Sequence, residues 1–344
     1  MIGNKLPGAS VGRYALTSCI ALALLAGCGR SQPLVGAPKT AQPSREVGIM
    51  ARDGKSWMDA SAPRQDLLYV ANLSGTVTIY RYWHRKLVGK LFGFQSPRGA
   101  CVDADGSVYV VDYRGRQIVE YAHGGTQPIN VIDDSPYEPS GCAVNLHNGD
   151  LAVANGAQGT SACCGNVAIY RNGKGEPIYY TDHDLSRYQS CAYDDSGNLF
   201  VTDGVQGSSY GSSFAYLRKG GQKLVTIVMR KRSSWNGGFN GVDGLAWDGK
   251  NWVLNTGVIY RVAIKNKRGR PVGWTKVEGS GYLTAFWVYN NHIGSQGTQV
   301  VGVWHDYQNG DAIGYWKYPA GGGLVGEITK GLDEPYGVAV SLKE

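Results

Sequence analysis

The sequence predicts an all-β chain folded as a six-bladed β-propeller of four-stranded antiparallel sheets, and three observations predict it. A unit running from Ser96 to Gly125 recurs in weaker copies at roughly 40 to 55 residues, the period at which propeller blades repeat. The composition suits short strands and turns, with 50 glycines, 22 tyrosines and nine tryptophans and no stretch of helical periodicity. The ends of the array also complete each other, since the first copy lacks an opening strand and the last residues supply one.

Within the unit, Gly99 to Val102 forms an opening strand, Asp103-Ala104-Asp105-Gly106 a tight turn, and Val108-Tyr109-Val110-Val111 a β-rich run stopped by Asp112. Gln117 to Tyr121 alternates as a third strand, and Pro128 to Ile132 follows the Gly124-Gly125 turn as a fourth. Copies begin near Pro139, Tyr188, Val242 and Leu283, the last with irregular glycine spacing. The array starts with Leu67 to Asn72 as a second strand, and Pro335 to Ser341 is an opening strand with nothing after it. The tail is therefore expected to close the ring, which removes two exposed sheet edges.

The Pro-x-Gly, Asp-x-Asp-Gly, YVVD and Arg-x-Ile pattern of Pro97 to Ile118 resembles the NHL repeat. The array from about Asp66 to Ser341 resembles six-bladed NHL and SMP-30/gluconolactonase-like propellers. The resemblance implies the fold and leaves function open among scaffolds, lyases and metal-dependent lactonases.

At the N-terminus, Lys5 and Arg13 precede the apolar run Ile20 to Gly27, which is too short to span a membrane and suits a secretory signal. Leu25-Ala26-Gly27-Cys28 matches the bacterial lipoprotein box, so Cys28 is expected to be lipidated and to become the mature N-terminus. The expected organisation is a leader over residues 1–27, a lipidated cysteine and flexible tether over 28–63, and the propeller over 64–344. A tether of this composition has an end-to-end distance on the order of 30 Å. The expected location is the bacterial cell envelope, outside the cytoplasm, on the outer membrane where the host has one.

The mature chain carries Cys101, Cys142, Cys163, Cys164 and Cys191 beside Cys28. Cys142 and Cys191 occupy the same repeat position in neighbouring copies, with Cys163 and Cys164 in a loop between them, so a disulfide is expected within that cluster, the alternative being buried small hydrophobes. No C-x-x-C pair offers a structural zinc site.

Blade geometry sorts loops by face. The second-to-third loop and the connection between blades leave on one face, called the top, and the two hairpin turns leave on the bottom. Asn72, Asp112, Asn155, Asp203, Asn255 and Asp306 all end second strands, which places polar side chains around the top of the channel, either to meet a ligand or to cap their own turns. Asn155-GAQG and Asp203-GVQG set Gln158 and Gln206 side by side, and the connections add aromatics including Trp235, Tyr282 and Tyr336. Flat rings beside amides suit sugars or extended peptides, since a ring covers an apolar face while amides bond the edges. Asp182, His183, Asp184 and His305 are the candidate ligands for a cation, without a fixed spacing to name the metal. Basic outer turns around Lys267, Arg268 and Arg270 give the bottom a positive rim, and the tether is expected to enter there and turn that face toward a membrane.

The formal charge of +7 falls by two when Lys5 and Arg13 leave, and its spread over many turns speaks against nucleic acid. The metalloprotease, nucleophile-elbow and P-loop motifs are absent. The reading is a monomeric, lipid-anchored propeller that binds a glycan, cell-wall fragment or protein on its top face, with no cofactor predicted. The alternatives are a metal-dependent hydrolase or lyase, in which a divalent cation would be held by acids and amides such as Asn155, Asp203 and Glu138, and a structural scaffold.

Overall fold

A computed structural model describes residues 54–158, 164–204, 214–229, 244–255, 258–278, 281–289, 298–306 and 309–343. All of them belong to one compact unit, Val47–Glu344. Cys28 and the leader lie outside the described residues, as do Cys163, Gln206 and Trp235.

Four strands open the fold: β1 (Trp57–Met58), β2 (Leu67–Asn72), β3 (Thr76–Arg81) and β4 (Leu87–Phe92). Two meanders follow, β5 (Pro97–Val102) to β8 (Pro128–Asp133) by way of β6 (Val108–Asp112) and β7 (Gln117–Tyr121), then β9 (Tyr137–Val144), β10 (Leu151–Gln158), β11 (Asn166–Tyr170) and β12 (Ile178–Tyr180). The next two are β13 (Tyr188–Tyr193), β14 (Leu199–Asp203), β15 (Phe214–Leu217) and β16 (Val225–Met229), then β17 (Gly244–Trp247), β18 (Trp252–Asn255), β19 (Ile259–Lys265) and β20 (Arg268–Thr275). They join into one eight-stranded sheet where β16 meets β20 in a short parallel pairing, Val228 with Arg268 and Met229 with Gly269. The last meander is β21 (Gly281–Tyr289), β22 (Gln299–Asp306), β23 (Gly310–Lys317) and β24 (Gly326–Ile328).

The final strand, β25 (Pro335–Ser341), pairs antiparallel with β2 from Leu67 with Ser341 to Asn72 with Pro335. The expected closure by the tail therefore holds. Successive innermost strands also touch in a closed succession, β25 on β5, β5 on β9, β9 on β13, β13 on β17, β17 on β21 and β21 on β25. The fold is an all-β propeller.

Second strands such as LLYVAN, VYVVD and LFVTD are buried on both faces because a neighbouring sheet packs on each. Outer strands such as β20 alternate buried and exposed positions instead. Each gap between sheets is an apolar core, as where Leu67 and Tyr69 meet Val108 and Val110.

The third residue of each copy, counted from Pro97, Pro139, Tyr188, Val242, Leu283 and Pro335, is small and lies on the innermost strand: Gly99, Gly141, Ser190, Gly244, Ala285 and Gly337. A Cβ on Gly337 would lie 2.1 Å from the Arg98 carbonyl oxygen, and one on Gly99 or Gly141 would lie 2.9 Å from that of Ser140 or Gln189. Adjacent innermost strands are thus held, with these positions side by side, at a distance that excludes larger side chains. They enclose a channel of about 350 Å³.

Ser56-Trp57-Met58, the end of the tether stretch and the part expected to pack on the first blade, does so: Trp57–Met58 pairs with β4 as a fifth strand, and Ala62 is buried in the first core. The expected point of entry is corrected. Because β1 is antiparallel to β4, the described chain begins beside Phe92, at the top end of β4, where Ser56 Oγ accepts the Phe92 N–H at 3.1 Å. The chain does not come in at the bottom of β2. A hydrophobic pair of residues and one hydroxyl are enough to lay the segment along an edge that would otherwise stand open.

Candidate ligand site at the channel mouth

The polar residues that end the second strands are placed on the top side as expected, and most are buried. Asn72, Asp112, Asn155 and Asn255 are fully buried, and Asp203 is nearly so. Asp112 accepts the backbone N–H groups of Gln95 and Ser96, and Asp203 those of Ser186 and Arg187, in each case the residues leading into the same sheet's innermost strand. Asn72 Oδ1 accepts the Asp333 N–H in the same way. Asn155 donates to Asn166 at 2.9 Å, and Asn255 donates to the Thr284 carbonyl at 2.7 Å. Asp306 caps the N–H of Asn309 at 3.1 Å. These contacts fix the loops around the mouth, which is the turn-capping alternative of the two readings.

The side chains that cross the mouth come from the second position of the innermost strands. The Arg98 guanidinium lies 3.4 Å from the centre of the Tyr113 ring and 5.4 Å from that of Tyr336. Across the channel, Gln189 Nε2 donates to the Tyr336 hydroxyl at 3.0 Å. Tyr113 is hydrogen-bonded to Glu138, and burial first, then that carboxylate, raises its hydroxyl above the ordinary value while Arg98 opposes the shift. Arg98 Nε is buried without an acceptor, and among the described residues Arg98 forms no ion pair. Beside this group a cleft of about 440 Å³ is lined by Gln95, Ser96, Arg98, Arg114, Asp333 and Glu334.

Arg98, Tyr113 and Gln189 are absent from the sequence-based candidates. Aligning the copies on their small third position would have shown that Arg98, Ser140, Gln189, Thr284 and Tyr336 share the place just above it. Of the candidates beyond the second-strand ring, Gln158 is exposed at the end of β10. Tyr282 is 41 % exposed, with its ring 4.9 Å from that of His305.

The cation candidates divide. Asp182, His183 and Asp184 present ligand atoms within 4.8 Å of one another, and the single Thr226 hydroxyl lies 3.0 and 2.8 Å from the Asp182 and Asp184 carboxylates and is shared between them. His305 belongs to a different sheet, where Nδ1 lies 2.8 Å from Asp311 and Nε2 lies 3.3 Å from Thr284 Oγ1. The proposed set therefore does not converge.

The cysteine expectation is also corrected. Cys142 is bonded to Cys101 on the preceding innermost strand, with Cα atoms 5.6 Å apart. Side-chain alternation explains the choice. Cys142 and Cys191, at equal repeat positions, both turn back to the preceding sheet, toward the Tyr109 and Ala152 carbonyls at 3.8 and 3.6 Å, so they do not face each other, whereas Cys101 stands one place later in its copy and turns forward to meet Cys142. Cys191 is a buried thiol pushed up to about 12 by burial, and Cys164 is exposed.

No family model matches the chain, and no curated protein does. A chain of the nidogen/laminin complex is similar in structure, with a TM-score of 0.60 and 14 % identity over 81 % of this chain and 99 % of that one. A protein of unknown function from Bacteroides caccae gives a TM-score of 0.51 and 12 % identity over 81 % of this chain and all of the other. At such identities the likeness is one of fold, and the fold it bears out is the β-propeller.

Proposed function

We propose that this chain is a lipid-anchored, extracytoplasmic binding protein whose ligand sits across the top mouth of a six-bladed propeller of the NHL and SMP-30-like kind. Taking β13–β16 and β17–β20 as two blades joined at their outer edges gives the count of six. The Cys101–Cys142 bond supports a location outside the cytoplasm, where disulfides persist.

The observation that carries the binding role is Arg98. Its guanidinium is fixed beside two aromatic rings, which leaves the in-plane N–H fork to pair with a planar oxyanion. The Nε that lacks an acceptor would gain one from a carboxylate. The ligand is accordingly a glycan, cell-wall fragment or protein segment that offers a carboxylate, with the Gln189 amide bonding a neutral edge. The metal-dependent hydrolase has less support, because Asn155 is bonded to Asn166, Asp203 to backbone and Glu138 to Tyr113.

The test compares the full chain with its Arg98→Ala variant for binding to purified peptidoglycan sacculi and to a panel of acidic and neutral glycans and acidic peptides. Loss of a charge-assisted pair should weaken binding at least about tenfold. Equal binding by both proteins would refute the site.

A further inference from the structure

The eight-stranded sheet holds a second cleft, on the bottom face and away from the mouth. Because β16 bonds β20, the outer edges of these two meanders are tied together, and a space of about 670 Å³ opens between them. Its inner wall is a continuous series of rings. Tyr216 stacks on Phe200 with centroids 5.5 Å apart and 21° between planes, Phe200 meets Trp252 at 3.7 Å, and Trp252 meets Trp247 at 5.0 Å. Phe200 and Trp252 are buried, while Tyr216 and Trp247 are partly exposed to the space. The two rings available to a ligand are thus backed by two that do not move, so little side-chain entropy is lost when something stacks on them.

The polar groups at the rim point to the rest of the ligand. The Trp247 indole N–H is buried with no acceptor. An isolated donor of this kind costs free energy unless a partner arrives. The β19–β20 turn holds Asn266 at φ 51° and Lys267 at φ 59°, a turn that brings both side chains to the cleft, and Lys250 lies on its other side. Among the described residues neither lysine forms an ion pair.

We propose that this cleft is a second binding site, for an acidic sugar whose pyranose ring stacks on Tyr216 and Trp247. Its carboxylate is held by Lys250 and Lys267, and a ring hydroxyl accepts the Trp247 N–H. A neutral sugar would leave the ammonium groups unused, and a purely apolar ligand would leave the indole N–H unsatisfied. The volume is ample for one or two sugar residues.

The test titrates glucuronate, glucose and inorganic phosphate onto the full chain, following tryptophan fluorescence and saturation transfer from the protein to sugar protons. Glucuronate should bind saturably, and the Lys250→Gln, Lys267→Gln double variant, whose changes lie on the surface, should bind it about tenfold or more weakly. Trp247→Phe should lose affinity through the missing N–H while keeping the ring. Glucose binding as tightly as glucuronate, phosphate displacing glucuronate at equal concentration, or affinity untouched by the lysine variant would each overturn the proposal, as would absence of any binding. Arg98→Ala should leave this site intact, which separates it from the mouth.

Discussion

Breaking the Cys101–Cys142 bond tests the account of how the ring is held. The two cysteines are 41 positions apart, and the bond removes that loop's freedom from the unfolded chain. In the chain-entropy treatment a closure of this length is worth about 4 kcal/mol at 25 °C. A domain of this size loses roughly 2 °C of Tm per kcal/mol, so the expected fall is about 8 °C. Both Cys101→Ala, Cys142→Ala protein and reduced wild type should show it in thermal melts followed by tryptophan fluorescence. Reductant should then have no further effect on the double alanine variant. A change under about 1 °C, or peptide mapping that finds Cys101 unlinked from Cys142, would refute this account of the bond.

Three other outcomes follow from named contacts. Gly337→Ala should cost about 1 to 3 kcal/mol in urea unfolding, because the new Cβ meets the Arg98 backbone oxygen and the strands must part. Asp112→Ala should cost a similar amount, about 1 to 3 kcal/mol, by stranding the N–H groups of Gln95 and Ser96, and Asp112→Asn should restore part of it. Asp134 is buried and accepts the Tyr170 hydroxyl, and burial pushes its carboxyl from 3.8 up to about 7. Between these values the folded chain keeps a proton that the unfolded chain has released. Stability should therefore fall as pH rises from about 4 to about 7, by up to about 1.4 kcal/mol per pH unit, and level off above. Asp134→Asn should flatten that stretch of the profile, and a wild type with no slope there would contradict the assignment.

The fold was legible because strand, Asx-Gly turn and strand repeat with little disguise. Asp103 shows why, since its carboxylate bonds the N–H groups of Asp105 and Ser107 around Gly106, whose φ is 80°. The closing tail was legible for a topological reason, an unpaired strand at each end. The site was less so. Asx residues at strand ends read equally as ligand groups or as caps, and only burial separates the two uses. Arg98 carries no pattern of its own, because its meaning comes from Tyr113 and Tyr336, which approach it from another turn and from the far end of the chain. The join of β16 to β20 depends on how two outer edges lean, and no periodicity records that.

The short strand β1 has a mechanical consequence. Any pull delivered through the N-terminal segment reaches the propeller first at Trp57 and Met58, on the outermost edge of the first sheet. A pairing of two residues can be peeled open one bond at a time, so it would yield before the strands beneath it. Tension would then pass along residues 59–66 to Leu67, at the start of β2, where β3 and β25 hold the strand on both sides, Leu67 standing opposite Arg81 and Ser341. The closing pair is thus the next to be loaded, and six paired residues on each side of β2 hold it far more firmly than the two-residue edge that yields first.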